Sequence, residues 1–360
     1  MPIKFLLTFV CFGDVFAVVS RGLHLSTQTL DLSKLSDWLK ANVCDFSGSL
    51  TAEKFAGGQS NPTFKVTAGE REFVLRRKPP GQLLASAHAV DREYRVISAL
   101  QNSDVPVPGA VALCEDDDII GSMFYLMEFM DGRVFWDPVL PELSNDERSA
   151  AYDDMNRVLA AMHSIDINAV GLSDYGRPGN YFERQVGRWS KQYRASETET
   201  VPAMETLMVW LSENMPADDG RVALVHGDYR LDNVMFHPTE PKIIAVLDWE
   251  LSTLGNPIAD LAYQVMAWQL PRDAGITGLG GIDRKPLSIP EDSSYVRSYC
   301  ERTGRDEIQH WNFYLAFCFF RLAAIVQGVK KRALDGTASS AEASGTRFNA
   351  ARSRLNGLEA

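Results

Sequence analysis

The chain has 360 residues, 36 Lys and Arg against 47 Asp and Glu, and 45% hydrophobic side chains. That apolar content suffices for one large core or two smaller ones and excludes disorder as the dominant state. The formal charge of −11 disfavours loose attraction to nucleic acid or anionic lipid outside a local basic patch, and neither the five cysteines nor the six histidines show a zinc-ligand spacing.

In chain order, residues 5–20 form an apolar run behind Lys4, interrupted by Asp14 and followed by Arg21. The run is shorter than the roughly 20 residues a spanning helix requires. Asp14 and the lack of a small-residue cleavage site count against a secretory leader. Residues 1–27 therefore read as a targeting leader or a mis-assigned extension, and no stable membrane insertion is expected.

Leu32, Leu35, Trp38 and Leu39 recur at helical spacing behind Ser33, predicting a short amphipathic helix over 31–43. Residues 51–79 read as three strands, the first ending at Gly57-Gly58, the second at 63–67, and the third at 72–77 after a tight turn at Gly69. A helix between Ser86 and Leu100 and strands at 110–114 and 123–130 complete an α+β lobe over 28–130. Asp131-Gly132 punctuates the chain, and 131–360 reads as a second, larger and mainly helical lobe with two short apolar strands at 222–225 and 243–247. The cysteines, typified by Cys318 between two phenylalanines, read as reduced thiols used as small hydrophobes, which predicts a cytoplasmic setting. The Ala/Ser/Gly-rich stretch 336–345 reads as a flexible loop.

The most informative stretch is Val225-His226-Gly227-Asp228-Tyr229-Arg230-Leu231-Asp232-Asn233, which follows an apolar strand and lies 20 residues before Asp248. Phosphoryl transfer needs a carboxylate to orient the attacking hydroxyl and oxygen ligands to hold magnesium against phosphates. Asp228 suits the first task. Asn233 offers an uncharged amide oxygen on the same loop, and Asp248 a carboxylate at the end of the next strand, a separation that matches the HRDxxxxN loop and later metal-binding Asp of kinase-like folds. Arg230 is placed either to offset charge on the transferred phosphate or to form a local ion pair.

With its HGDxxxxN loop and Asp248-Trp249-Glu250, the chain resembles the aminoglycoside phosphotransferase and choline kinase superfamily. It is more similar still to the kinase-like domain of acyl-CoA dehydrogenase fusion proteins, through the segments 55–64, 73–81, Arg92-Glu93-Tyr94-Arg95 and 254–261. The resemblance covers about 30 to 350 and implies a bilobal protein-kinase-like fold using ATP and Mg2+. It implies that Gly57, Gly58, Gln59, Ser60 and Asn61 form the loop over the ATP phosphates. Arg76 stands where the relatives carry a phosphate-contacting lysine, with Lys78 two residues on as the alternative cation. Glu93 would pair with that cation, and the backbone of Glu128, Phe129 and Met130 would meet adenine. His226 and Asp260 would brace the catalytic loop, and His163 reads as a satisfied core histidine.

Aminoglycosides are polycations, and no carboxylate-rich acceptor segment stands out. The segments 181–193 and 311–321 instead mix aromatics with Arg184, Arg188, Lys191 and Arg321, which fits an acceptor with an apolar part and an anionic group, or else core aromatics beside a solvated basic face. The resemblance implies a hydroxyacyl-CoA or similar amphiphilic acid as acceptor. The alternatives are an aminoglycoside- or choline-type kinase, and a catalytically silent nucleotide- or acyl-CoA-binding module. Protein kinase activity is disfavoured, since no Ala-Pro-Glu segment follows Asp248.

Overall fold

The computed structural model describes residues 30–335 apart from 45, 47, 56–60, 80–88, 178 and 274–275. The apolar run at 5–20, the glycine loop at 57–60 and the stretch 336–345 lie outside the described residues.

Helix α1 (Leu32–Asn42) buries Leu35 and Leu39, an i, i+4 pair on one face. Its cap is Asp31, whose carboxylate accepts the Lys34 N–H at 3.1 Å, so Ser33 lies inside the first turn rather than at the cap. Strands β1 (Leu50–Lys54), β2 (Thr63–Ala68), β3 (Arg71–Arg77), β4 (Ala110–Cys114) and β5 (Phe124–Glu128) form one antiparallel sheet in the order β1-β2-β3-β5-β4. Strand β1 stops at Lys54, before the glycine pair that the sequence suggested as its end.

Side-chain alternation gives this sheet two faces with different duties. Phe73, Leu75, Phe124 and Leu126 pack with Leu35 and Leu39 of α1 in one core. Val74, Tyr125 and Met127 point the other way, into a larger core shared with α2 (Val90–Leu100) and with the rest of the chain. Arg76 has the parity of Val74, so strand geometry alone delivers its guanidinium to the inter-lobe face.

Beyond β5, Arg133 exchanges backbone hydrogen bonds with Phe236 at 2.8 Å each, docking the connecting segment on the second lobe. A Cβ at Gly132 would meet the Phe236 carbonyl oxygen at 2.7 Å, so the close crossing requires glycine there. The second lobe is mainly helical: α4 (Asn145–His163), α5 (Tyr181–Ser196), α6 (Pro202–Glu213), α7 (Ile258–Gln269), α8 (Asp292–Thr303) and α9 (Trp311–Leu334), with α3 (Asp117–Ile120) a single turn in the first lobe. A reciprocal Ser144–Glu147 capping box starts α4. Helix α9 is apolar and long enough to cross a membrane by composition, yet 67% of its most apolar window is buried inside the lobe. Two short antiparallel pairs, β6 (Ala223–Val225) with β9 (Thr253–Gly255) and β7 (Val234–Phe236) with β8 (Ile243–Val246), present their connecting loops to the sheet. The four cysteines among the described residues are free thiols.

Candidate active site

The catalytic-loop candidates sit between β6 and β7, and Asp248 follows β8, so one hairpin carries both halves of the site. His226 fastens them together. Its Nδ1 accepts the Asp228 N–H at 3.2 Å, which leaves the ring proton on Nε2 to donate to the Leu247 carbonyl at 2.8 Å. Leu247 N–H in turn donates to the Asn233 carbonyl at 2.9 Å. The segments carrying Asp228, Asn233 and Asp248 are thereby tied together through a single buried imidazole and its neighbours.

The Asn233 amide donates through Nδ2 to both the carbonyl and the Oδ2 of Asp228, each at 2.8 Å. That arrangement fixes the rotamer, because only the amino end has acceptors to meet, and it turns Oδ1 away from Asp228. Asp248 lies at φ 63°, ψ 61°, a left-handed conformation that a non-glycine residue holds at some cost and that redirects the chain at the strand end. An amide oxygen and a carboxylate are a sparse donor set, and no group of three His, Cys, Asp or Glu side chains forms a metal cage among the described residues. Magnesium fits such a set, because it keeps several waters and is completed by phosphate oxygens.

Behind the loop, Asp260 at the start of α7 accepts the N–H groups of His226 (2.6 Å) and Gly227 (2.8 Å) and contacts His163 Nε2 at 3.3 Å. Burial pushes the Asp260 carboxyl upward, but His163, His226 and the Gly227 N–H outweigh it and hold the group below the ordinary aspartate range. His163 is itself held by the Tyr299 hydroxyl at 2.7 Å, the satisfied core histidine the sequence suggested. Gly227 lies at φ +85°, and a Cβ there would meet the Leu251 carbonyl oxygen at 2.8 Å.

Arg230 is engaged locally: its Nε lies 3.1 Å from Asp228 Oδ1 and its Nη2 3.0 Å from Asp232 Oδ2. Burial, and after it the nearby Asp228 charge, push the Tyr263 phenol upward. Arg321 is buried rather than part of a solvated face; it donates to the Gly227 carbonyl at 2.6 Å and lies over the rings of Tyr263 and Trp189. Arg188 and Lys191 are exposed, and Arg184 donates to the Arg177 carbonyl.

On the sheet side, Arg76 Nε lies 3.0 Å from Glu93 Oε2, and its Nη2 lies 2.5 Å from Asp248 Oδ1 and 3.8 Å from Glu250 Oε2. Among the described residues, the Lys78 ammonium pairs with Asp91, at 3.7 Å. Asn61, a candidate for the phosphate loop, is buried with its Nδ2 donating to Glu93 Oε1 at 2.9 Å. Tyr125, opposite Arg76 in the sheet, donates to Glu93 Oε2 at 3.2 Å. Burial raises the Glu93 carboxyl to about 7, with Arg76 pulling the other way. Glu128 ends β5 exposed, and its N–H is taken by the Gly109 carbonyl at 2.8 Å; Phe129 and Met130, half-buried, follow, and the Phe129 N–H donates to the Glu72 carbonyl at 3.3 Å.

Sequence reasoning missed Tyr125, Tyr263, Glu250 and Arg92. The last donates from α2 to the carbonyls of Tyr175 (2.9 Å) and Ser252 (3.3 Å), fastening the first lobe to the segment after Asp248. Its only signal was the Arg92-Glu93-Tyr94-Arg95 run.

A five-stranded antiparallel lobe over a helical lobe, with an Asp–Asn loop and a strand-end Asp in the cleft, is the architecture of the kinase-like small-molecule phosphotransferases. The chain belongs to the phosphotransferase enzyme family, whose model matches residues 51–307. It is 49% identical to mouse acyl-CoA dehydrogenase family member 10 over 88% of its own length, but spans only 30% of that protein. A solved structure from Ralstonia eutropha JMP134, provisionally named an aminoglycoside phosphotransferase, is 53% identical, with a TM-score of 0.80 over 88% of this chain and 93% of that one. The streptomycin–ATP complex of APH(2")-IIa shares the fold at 17% identity, with a TM-score of 0.52 over 85% of this chain and 88% of that one.

Proposed function

We propose that the protein transfers the γ-phosphoryl group of ATP to a hydroxyl of a small amphiphilic acid, a hydroxyacyl-CoA or a relative of one. The observation that carries this reading is the junction of Asp228, Asn233 and Asp248 through His226. Asp228, steadied by the Asn233 amide, orients the acceptor hydroxyl and takes its proton on a carboxylate oxygen as the new O–P bond forms and the bond from the γ phosphorus to the departing ADP oxygen breaks. Magnesium, held by Asn233 Oδ1 and Asp248, would neutralise charge on the phosphates when bound. The buried frame of Asp260, His163 and Arg321 fixes the loop so that Asp228 needs little reorganisation.

The acceptor class rests on the exposed cations Arg188 and Lys191 of α5 and on a relative named for acyl-CoA dehydrogenation, since the aromatics of α5 and α9 are core and Arg321 braces Gly227. The R. eutropha structure's name favours an aminoglycoside instead. A panel assay of phosphate transfer from ATP separates the two: the reading predicts a phosphorylated product from 4-hydroxyacyl-CoA and none from kanamycin or choline. The reverse pattern overturns the acceptor class.

A further inference from the structure

Arginine at position 76 does something a lysine could not do with one ammonium group. Its Nε faces Glu93 of α2 while its Nη2 faces Asp248 and, more distantly, Glu250, so one planar guanidinium bridges carboxylates from both lobes. The side chain is 14% exposed. Glu93 is itself fixed from two other directions, by Asn61 and by Tyr125. With Glu93 so anchored, and with β3 pinned between β2 and β5, the root of the guanidinium is held beside Asp248 while its Nη2 edge stays able to exchange partners. The oxygen it covers, Asp248 Oδ1, belongs to the carboxylate assigned above to the metal.

We propose that Arg76 masks Asp248 in the nucleotide-free protein, so that a divalent cation alone must compete with a guanidinium for its ligand and binds well only together with nucleotide. This inference rests on the phosphotransferase reading for the identity of the site. Asp248 offers a metal its carboxylate, yet the geometry sets the Arg76 guanidinium on the oxygen nearest the cleft face of β3. Phosphate oxygens give the guanidinium an alternative partner, and its departure toward them frees Asp248 Oδ1. Nη1 has no hydrogen-bond partner among the described residues, which leaves one edge of the fork for that exchange.

Mn2+ binding followed by electron paramagnetic resonance, without nucleotide and then with a non-hydrolysable ATP analogue, tests this on the full chain. Arg76→Lys keeps the charge but cannot span both carboxylates, and should bind Mn2+ about fivefold tighter than wild type when nucleotide is absent. Arg76→Gln against Lys78→Gln provides a second arm, because each removes one cation from β3 or its end and only the first uncovers Asp248. Arg76→Gln should gain several-fold more metal affinity than Lys78→Gln. Equal metal affinity in wild type and Arg76→Lys, or equal gains in the two glutamine variants, overturns the masking. Failure of the phosphotransferase reading looks different: no form would then bind Mn2+ more tightly when the analogue is added.

Discussion

Asp260→Asn tests whether the loop carrying Asp228 is held from behind. In the wild type one buried carboxylate receives two backbone N–H groups, at 2.6 and 2.8 Å, and contacts His163 at 3.3 Å. An asparagine retains one carbonyl oxygen and sets its amino group against the other N–H. One charge-assisted bond, ~1.5–3 kcal/mol, is lost, and a buried donor is left unsatisfied at a further ~1–3 kcal/mol, for a total of about 3–5 kcal/mol. Urea unfolding should report that loss, and the melting temperature should fall on the order of ten degrees. The sign of the pH effect is also fixed. Asp260 has a folded pKa below its unfolded value, so its contribution is complete above the ordinary aspartate range and is lost as pH falls through the lower folded value. The acid limb of the wild-type stability curve should therefore flatten in Asp260→Asn. A change under ~1 kcal/mol with turnover and acid limb unaltered would refute the bracing argument.

Gly227→Ala adds a Cβ against the Leu251 carbonyl at a positive φ, and should cost ~2 kcal/mol or more while lowering kcat with KM for ATP little changed. Steady-state kinetics and thermal unfolding check both halves. Glu93 titrates near 7 in the fold, above its unfolded value, so the native state holds the extra proton and stability should decline as pH rises from about 4.5 to about 7; Glu93→Gln should remove that decline. Tyr125→Phe removes one donor from Glu93 and should destabilise by about 1 kcal/mol, read by denaturant midpoint, with a raised KM for ATP.

The loop that brings Asp228 and Asn233 together was legible because its pattern is local: the two residues lie five apart, and the apolar strands around them name the turn. The strands were legible as short apolar runs split by the Gly69 turn, but the two faces of the sheet were not, since Phe73-Val74-Leu75 is apolar throughout and only the packing partners separate Val74 from Phe73 and Leu75. What escaped depends on distant residues. Tyr125 reaches Glu93 only because β5 pairs with β3 in a register that sets it opposite Arg76. Arg321 read as an acceptor cation because its helix mixes aromatics and charge, and the fold instead buries it against Gly227, 94 residues earlier. Strand β9 is three residues long and carries no periodicity to detect. The cap of α1 fell to Asp31 instead of Ser33 because either side chain can serve, and the turn geometry chooses.

The central claim is that Asp228 takes the proton of an acceptor hydroxyl in a pocket shared with Asn233 and Asp248. Incubating [γ-32P]ATP and magnesium with a metabolite extract, and identifying labelled products by mass, tests it most directly in wild type and Asp228→Asn side by side. The wild type should yield a phosphorylated small molecule, and Asp228→Asn should form it ~10²–10⁴-fold more slowly while still binding nucleotide. Equal labelling by the two proteins would contradict the account.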